Sequence, residues 1–269
     1  MSGNSYGTIF KICTWGESHG EGVGVVVDGC PAGLSLKEAD IQKELDRRKT
    51  GQSKVTTTRK ETDLIQILSG VFKGKTTGTP IALWVENQDA DSSKYEEIKN
   101  KFRPGHADFT YLMKYGFRDY RGGGRSSARE TVGRVAAGAI AKKLLARKRI
   151  KIIGYTKQIG PYIAERMDFK QIEKNIVRCP DKIIAQKMID HVLNARKKGD
   201  SVGGVVELVV KGVQAGLGEP VFDRLDADLA KAMMSIPAVK GIEVGVGFGA
   251  ATMYGSECND PYTAKGTRI

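Results

Sequence analysis

The pattern of apolar and polar residues predicts the longest helix of the chain at residues 128–148. The small residues in this stretch predict that another element packs closely against the helix: Gly133, Ala136, Ala137, Gly138, Ala139 and Ala141. Similar patterns predict further helices at 35–48, 181–198 and 222–234, with short helices at 94–101 and 109–115. Runs rich in β-branched residues predict strands at 23–28, 64–72, 80–86, 151–158 and 203–211. Residues 49–62 lack periodicity and are predicted to form a loop.

Two helix starts carry the spacing of a capping box. Ser35 with Glu38, and Ser127 with Glu130, each place a hydroxyl three residues before a carboxylate. These pairs predict that helices begin just after Ser35 and near Ala128.

One segment of the chain is repeated. Residues 25–34, Val-Val-Val-Asp-Gly-Cys-Pro-Ala-Gly-Leu, resemble residues 208–217, Leu-Val-Val-Lys-Gly-Val-Gln-Ala-Gly-Leu, and a predicted helix follows each copy. A duplicated strand–turn–helix unit predicts two similar halves packed around shared helices, although a short repeat of this kind also arises by chance. Because no Pro/Ser-rich linker interrupts the chain, a single α+β domain is predicted.

Composition narrows the class of protein. The 269 residues carry a net charge of +12, which predicts an anionic partner, but aromatic residues make up only 7% and the basic residues are spread along the chain. Small multiply charged metabolites are therefore favoured over nucleic acid. The four cysteines have no metal-ligand spacing and indicate buried, reduced thiols. With neither a signal core nor an apolar run of about 18 residues, a cytoplasmic protein without a membrane segment is predicted.

Residues 103–134 concentrate the candidate chemistry. This segment holds a triple glycine (122–124), a histidine and six arginines, at 103, 118, 121, 125, 129 and 134. Glycines let a backbone come close to a ligand, and the first turn of the following helix favours a phosphate. Arginine forks suit phosphates and carboxylates, so we predict a site for more than one anion. The alternative is a glycine-rich turn leading into a surface helix with solvated arginines.

Two of the three histidines are candidates for proton transfer. His106 is held in a Pro-Gly turn beside Arg103, and His19 is in a glycine-bracketed Gly-Glu-Ser-His-Gly loop. For each, a structural turn histidine is an equally good interpretation, and His191, inside a predicted helix, is interpreted as structural. We reject a serine-hydrolase elbow at this loop, because a strand is predicted after the motif and not before it.

These motifs together resemble the chorismate synthase family. The resemblance rests on Gly-Glu-Ser-His-Gly (16–20), Val-Asp-Gly-Cys-Pro (27–31), Arg-Pro-Gly-His-Ala-Asp (103–108) and the run from Arg121 to Thr131. Shorter matches occur at 68–72, 199–201 and 216–223. The order is collinear from about Gly3 to Gly266, so the resemblance covers nearly the whole chain.

The resemblance implies a fold and a reaction. The fold is a β-α-β sandwich in which a helical core lies between antiparallel sheets with internally duplicated halves. The reaction is an anti 1,4-elimination of phosphate from 5-enolpyruvylshikimate 3-phosphate to give chorismate, in the shikimate pathway of aromatic amino-acid biosynthesis. It requires reduced FMN although there is no net redox change, and NADPH is an external reductant in bifunctional members. A homotetramer is implied, with neither nucleic acid nor membrane as partner.

The resemblance also implies roles for individual residues. His106 would protonate the departing phosphate, and His19 would protonate or stabilise the reduced flavin. Flavin contacts are implied for Arg125, Ser126, Ser127, Pro237 and Ala238. Contacts with the anionic groups of substrate or NADPH are implied for Arg48, Lys54, Arg103 and Arg129. Position 54 is a departure, since relatives often carry arginine there and lysine cannot make the bidentate contact.

The last residue given is Ile269, whereas family members continue through a Lys-Pro-Thr segment and a Gly-Arg-His-Asp-Pro motif. The resemblance therefore implies a C-terminally short member or a fragment, a single domain over 1–269 that lacks part of the flavin site. Weak FMN binding and poor turnover are expected of it. The alternative from a different class is a non-catalytic module that binds anions or nucleic acid.

Overall fold

A computed structural model describes residues 3–53, 55, 61–88 and 93–262. The chain divides into two compact units, Met1–Gln214 and Ala215–Ile269. Strands of the first unit are β1 (Ser5–Tyr6), β2 (Lys11–Gly16), β3 (Gly22–Asp28), β4 (Ile65–Ile67), β5 (Val71–Phe72), β6 (Lys75–Thr76), β7 (Ile81–Glu86), β8 (Lys151–Ile159), β9 (Tyr162–Ile163) and β10 (Gly204–Lys211). Its α-helices are α1 (Glu38–Arg48), α2 (Asp108–Tyr115), α3 (Thr131–Arg147) and α4 (Lys182–Lys197). Four 3-10 helices accompany them: Ser93–Ile98, Gly124–Ser126, Ala128–Glu130 and Phe169–Lys174.

The main sheet has the antiparallel order β1-β2-β3-β7-β4. Alternate residues of its two central strands are buried and pair across them, as Val23 with Val85 and Val25 with Leu83. Side chains of α1 and α3, including Ile41 and Ile140, complete this core. The valines and leucines at these alternate positions share one face of the sheet, and that face packs against the helices.

Helix α3 lies unusually close to the sheet, as its small residues predict. A Cβ on Gly133 would come within 2.9 Å of the carbonyl oxygen of Gly24 in β3. Helix α3 also contacts α1 and β8, so the helical layer touches both sheets. The predicted α+β class is confirmed by this arrangement.

The second sheet has the order β10-β8-β9 and is antiparallel. Helix α4 packs beside it around Cys179, Ala185 and Met188, which form a separate small core. The side chain of Asp181 caps the helix, accepting from Ile183 N at 3.0 Å and Ile184 N at 3.1 Å.

The backbone supports the internal repeat. Gly29, after β3, and Gly212, after β10, occupy matching positions and both have positive φ, +74° and +80°. A Cβ on Gly29 would overlap the carbonyl oxygen of Ile9, which lies two residues before β2. A Cβ on Gly212 would overlap the carbonyl oxygen of Arg149, which lies two residues before β8. Because only glycine tolerates both conditions, the same turn is built twice.

The second unit consists of α5 (Leu225–Met234), a 3-10 helix (Gly247–Thr252) and α6 (Gly255–Cys258). Its helix α5 begins three residues later than the predicted 222–234. After α5, Val239 N donates to Ile236 O at 3.2 Å in a turn, and Ala238 there has φ of +69°. A non-glycine residue with that φ marks a turn fixed by its surroundings.

Some predicted boundaries are wrong for local reasons. Ser35 does not begin α1, because its backbone pairs with Lys75 in a β-bridge; Lys37 N instead donates to Asp40 Oδ2 at 3.0 Å. The strand predicted at 64–72 is broken at Gly70, which turns with φ of +78°. The predicted helix at 94–101 is the 3-10 helix Ser93–Ile98. Strands β1 and β2 were not anticipated by the pattern.

Two further expectations concern the burial of the cysteines and the length of the helices. Cys30 and Cys179 are buried, as predicted, but Cys13 and Cys258 are exposed. Burial raises the pKa of the Cys30 thiol. Within the part of the chain that the structure describes, no helix has the length and apolar character needed to cross a membrane.

Candidate functional site

The triple glycine lies directly under three side chains that carry chemistry. A Cβ on Gly122 would overlap the ring of His19. A Cβ on Gly123 would come within 2.5 Å of Cε1 and 3.3 Å of Nε2 of His106. All three glycines have positive φ, +60°, +89° and +52°, and a Cβ on Gly124 would sit 3.6 Å from the Glu17 carboxylate. The sequence needs glycine here for both shape and conformation.

His106 is held by the turn that precedes α2. Arg103 Nε and Nη2 grip the two oxygens of Asp108 at 2.8 and 2.9 Å, and Arg103 Nη2 also lies 3.3 Å from His106 Nδ1. Asp108 is buried at the first residue of α2, and Arg118 Nη1 approaches it at 3.5 Å. The hydrogen bond from Arg103, opposed by burial, lowers the pKa of Asp108 to about 2. The turn therefore places an arginine–aspartate ion pair next to the imidazole of His106.

Tyr95 lies between the two histidine turns. Its ring meets His19 edge-on at 5.0 Å between centroids, and the guanidinium of Arg103 lies 5.5 Å from its centroid. Because Arg103 also contacts His106, one aromatic ring links both turns.

A buried ion-pair network lies behind the site. Asp63, whose side chain is 0% exposed, is held by Arg48 Nη1 at 2.8 Å and by Arg129 Nη1. Arg129, 4% exposed, also donates from Nη2 to Glu86 O at 3.2 Å, and that atom lies 3.6 Å from Glu61 Oε2. Both Nη atoms of this guanidinium thus face oxygen acceptors of the protein, and Nε does so as well.

The network supports the turn of His19. Arg129 Nε donates to Asn87 Oδ1 at 2.8 Å, and Asn87 Nδ2 donates to the carbonyl oxygens of Glu17 and Gly20, each at 2.8 Å. These two carbonyls flank His19 in the chain. Arg129 therefore positions the turn from behind, through Asn87.

The arginines of 103–134 are mostly paired with carboxylates. Arg121 binds Asp119 at 2.7 Å and Arg134 binds Glu130 at 2.8 Å, in addition to the pairs already described. Such pairing holds the arginines in place and reduces the charge left for a ligand. The sequence could not show this, because the partners of Arg129 come from the separate segment 61–87.

Three of the five residues implied as flavin contacts, Arg125, Ser126 and Ser127, make internal hydrogen bonds through their side chains. Arg125 Nη1 donates to Gly16 O at 3.1 Å, and Nη2 donates to Thr14 Oγ1 at 2.7 Å and Asn4 Oδ1 at 3.1 Å. Ser126 Oγ donates to Gly123 O at 2.7 Å, and Ser127 Oγ accepts from Arg129 N at 3.3 Å. These bonds hold the side chains of the segment in fixed positions.

The remaining predicted residues lie elsewhere. Lys54 is outside the described residues. Pro237 and Ala238 belong to the turn after α5 in the second unit. Arg48 is in the first unit, at the end of α1, where Nε also lies 3.3 Å from Thr131 Oγ1.

The rejected serine-hydrolase interpretation stays rejected, but for a different reason. A strand does precede the motif, because β2 ends at Gly16. The turn then enters β3 and not a helix, so no nucleophile elbow forms. Ser18 is buried, and its Oγ donates to Gly122 O at 3.3 Å, which ties the histidine turn to the triple glycine.

Four contributing residues were not assigned roles from the sequence: Asp63, Asn87, Tyr95 and Asp108. Asp108 could have been found, since it is an acidic residue at the start of a predicted helix beside two basic groups. The others lie far from the motif in the chain and carry no local signal.

The arrangement offers two imidazoles over a backbone strip without side chains. Glycine lets both rings lie directly against the backbone, and each ring can transfer a proton. Among the described residues no group of three or more His, Cys, Asp and Glu side chains is placed to hold a metal ion.

Comparisons with known proteins agree on one family. The family model described as chorismate synthase matches residues 10–268. A chorismate synthase of Methanosarcina barkeri is 60% identical over 273 residues, covering 100% of this chain and 75% of the relative. One of Chloroflexus aurantiacus is 60% identical over 262 residues, covering 97% and 72%. A crystal structure of chorismate synthase superposes with a TM-score of 0.80 at 34% identity, covering 97% of this chain and 77% of that one.

Proposed function

The chain belongs to the chorismate synthase family, and from that premise we propose that the space over Gly122 and Gly123 is where its reaction takes place. The family membership makes it a lyase of the shikimate pathway. The proposed substrate is 5-enolpyruvylshikimate 3-phosphate, and the proposed products are chorismate and phosphate. The observation that carries the proposal is the placement of His19 and His106 on adjacent glycines.

The residues at the site fit a flavin bound with the substrate. The triple glycine has positive φ throughout, and a Cβ on Gly122 or Gly123 would overlap the imidazole that lies there, so glycine lets both rings pack against the backbone beside the proposed ligand space. The chemistry that bound reduced FMN would supply is a transient electron and a place for the C6 hydrogen. The backbone of residues 125–127 is proposed to hold it. Flavin contacts for Pro237 and Ala238, in the second unit, stay a prediction from the family resemblance.

His106 acts on the leaving phosphate. When the C3–O bond of the substrate breaks, both electrons go to the phosphate oxygen, and a proton on that oxygen makes it a better leaving group. The ring of His106 turns Nε2 towards Gly123, the side on which the substrate is proposed to lie. Arg103 and Arg118 share the single carboxylate of Asp108, so one positive charge remains beside the leaving group.

His19 acts at the flavin side of the same strip. It stacks over Gly122 and is oriented by Tyr95, while Asn87 and Ser18 fix the turn that carries it. A fixed imidazole there can hold a proton for the reduced cofactor. Arg129 supports this half of the site through Asn87, and Arg48 is linked to Arg129 through Asp63.

Other parts of the proposal come from the family and not from distances. Lys54 is proposed to contact an anionic group of NADPH or of the substrate. A homotetramer, a cytoplasmic location, a single domain over 1–269 and NADPH as external reductant stay predictions.

Anaerobic single-turnover chemistry tests the proposal. The enzyme is mixed in excess over 5-enolpyruvylshikimate 3-phosphate with reduced FMN, so that even slow conversion is counted, and chorismate and phosphate are quantified. Equal amounts of both products are expected, with loss of roughly 10²–10⁴-fold in rate for His106→Ala. No conversion, with intact FMN and substrate binding, would support the shortened and inactive family member.

The anion-binding or nucleic-acid-binding module is the second candidate, since the net charge of +12 favours it. It predicts polyanion binding with a steep salt dependence and no effect of flavin. The internal pairing of the arginines weighs against it, because Arg121, Arg129 and Arg134 already bind carboxylates.

A further inference from the structure

Asp108 is buried beside His106, but its shortest hydrogen bonds are to Arg103. Its carboxylate does not reach hydrogen-bonding distance of His106, since the Nδ1–Oδ1 separation is 3.7 Å. It instead receives both Nε and Nη2 of Arg103 at 2.8 and 2.9 Å, and the backbone N–H of Arg103 at 3.1 Å. Three donors from one residue converge on one buried carboxylate, which leaves the guanidinium a single orientation.

That orientation decides which nitrogen of His106 carries the proton. Arg103 Nη2 lies 3.3 Å from His106 Nδ1, and a guanidinium can only donate. The neutral ring therefore accepts at Nδ1 and carries its hydrogen on Nε2. Nε2 is on the part of the ring that faces Gly123.

We propose that Asp108 is a positioning residue for proton transfer: it locks Arg103 against Nδ1 of His106 and so keeps the exchangeable proton on Nε2, towards the ligand. The role of His106 as the acid rests on the proposed function, whereas the tautomer does not. Arg118, 3.5 Å from the same carboxylate, holds Asp108 from its other side.

Nitrogen-15 NMR of histidine-labelled protein reads the tautomer directly. In the spectrum of the neutral ring, wild-type His106 is expected as Nε2–H. His106→Gln assigns the signal. Asp108→Asn, which loses the charge and one acceptor, is expected to give a mixture or Nδ1–H. Arg103→Lys tests the same link without altering the buried carboxylate, in case Asp108→Asn folds poorly.

Asp181→Asn is the matched control. Asp181 is likewise a buried carboxylate at the start of a helix, but it caps α4 in the separate small core. Both Asn variants are expected to lose thermal stability, while only Asp108→Asn changes the His106 signal.

The kinetic readout separates this inference from the proposed function. Asp108→Asn is expected to lower kcat by about 10- to 100-fold, as misplacement of a reacting group does, with KM within about threefold. An unchanged Nε2–H signal in both Asp108→Asn and Arg103→Lys overturns the inference. A changed tautomer with unchanged kcat upholds the positioning but overturns the role of His106 as the acid.

Discussion

Gly123→Ala tests whether the backbone strip has to be free of side chains. The new Cβ would lie 2.5 Å from Cε1 of His106, whereas an ordinary contact begins near 3.4 Å. The imidazole must therefore retreat by about 0.9 Å, a distance that near a reacting group costs about 100-fold in rate. The residue must also hold φ of +89°, which costs about 1–2 kcal/mol in any L-residue other than glycine.

Gly33→Ala separates the two effects. Gly33 has φ of +80°, but a Cβ there would meet nothing within 4 Å. Both variants should lose a few degrees of melting temperature, because the backbone cost is shared. Single-turnover rates should fall only in Gly123→Ala. If the two variants keep equal rates, the ring of His106 does not need its present position, and the argument from the glycine strip is refuted.

Three other predictions concern charge and burial. Arg129→Leu removes the buried cation that faces both Asp63 and Glu61 and leaves Asp63 with Arg48 alone. The free energy of unfolding in urea should therefore drop by about 3–5 kcal/mol, and a loss below about 1 kcal/mol would contradict the buried network. Burial and a hydrogen bond to Glu207 raise the pKa of Tyr155 to about 12. The neutral phenol should therefore stabilise the fold fully below about pH 10, and this stabilisation should vanish as the pH rises to about 12. Spectrophotometric titration of the wild type against Tyr155→Phe can follow the ionisation. The pKa of Asp108 is lowered from 3.8 to about 2, so its carboxylate should stabilise the fold above pH 3.8 and cease to do so as the pH falls to about 2. In acid unfolding, the stabilities of wild type and Asp108→Asn should therefore converge near that pH. A difference in stability that stays constant with pH would contradict this.

The sequence predicts the elements whose physics is local. Helix α3 follows from a long apolar segment of small residues, and strands β3 and β7 follow from their runs of β-branched and apolar residues. The close approach at Gly133 follows from the same small residues. The start of α1 does not, because the backbone of Ser35 is taken by a bridge to Lys75 from 40 residues away. Strands β1 and β2 could not be recognised from the sequence, because β1 has only two residues and the burial pattern of β2 is irregular.

The site is predictable in its parts and not in its connections. The glycines and histidines are visible in the sequence as short motifs, and their meeting was implied by the family resemblance. The fate of the arginines was not visible, since whether Arg129 faces a ligand or Asp63 depends on a fold that brings residues 63 and 129 together. Likewise the support of His19 by Asn87 joins segments that are separate in the chain.

The central claim is that His19 and His106 act from adjacent glycines on one bound substrate. It is tested most directly by rapid-quench measurement of chorismate formed by wild type, His19→Ala and His106→Ala, anaerobically and with saturating reduced FMN. The account predicts product with wild type that depends on reduced FMN, and a rate reduced by at least about 100-fold in each variant while substrate still binds. Wild-type rates in either variant, or product formation without the flavin, would contradict it.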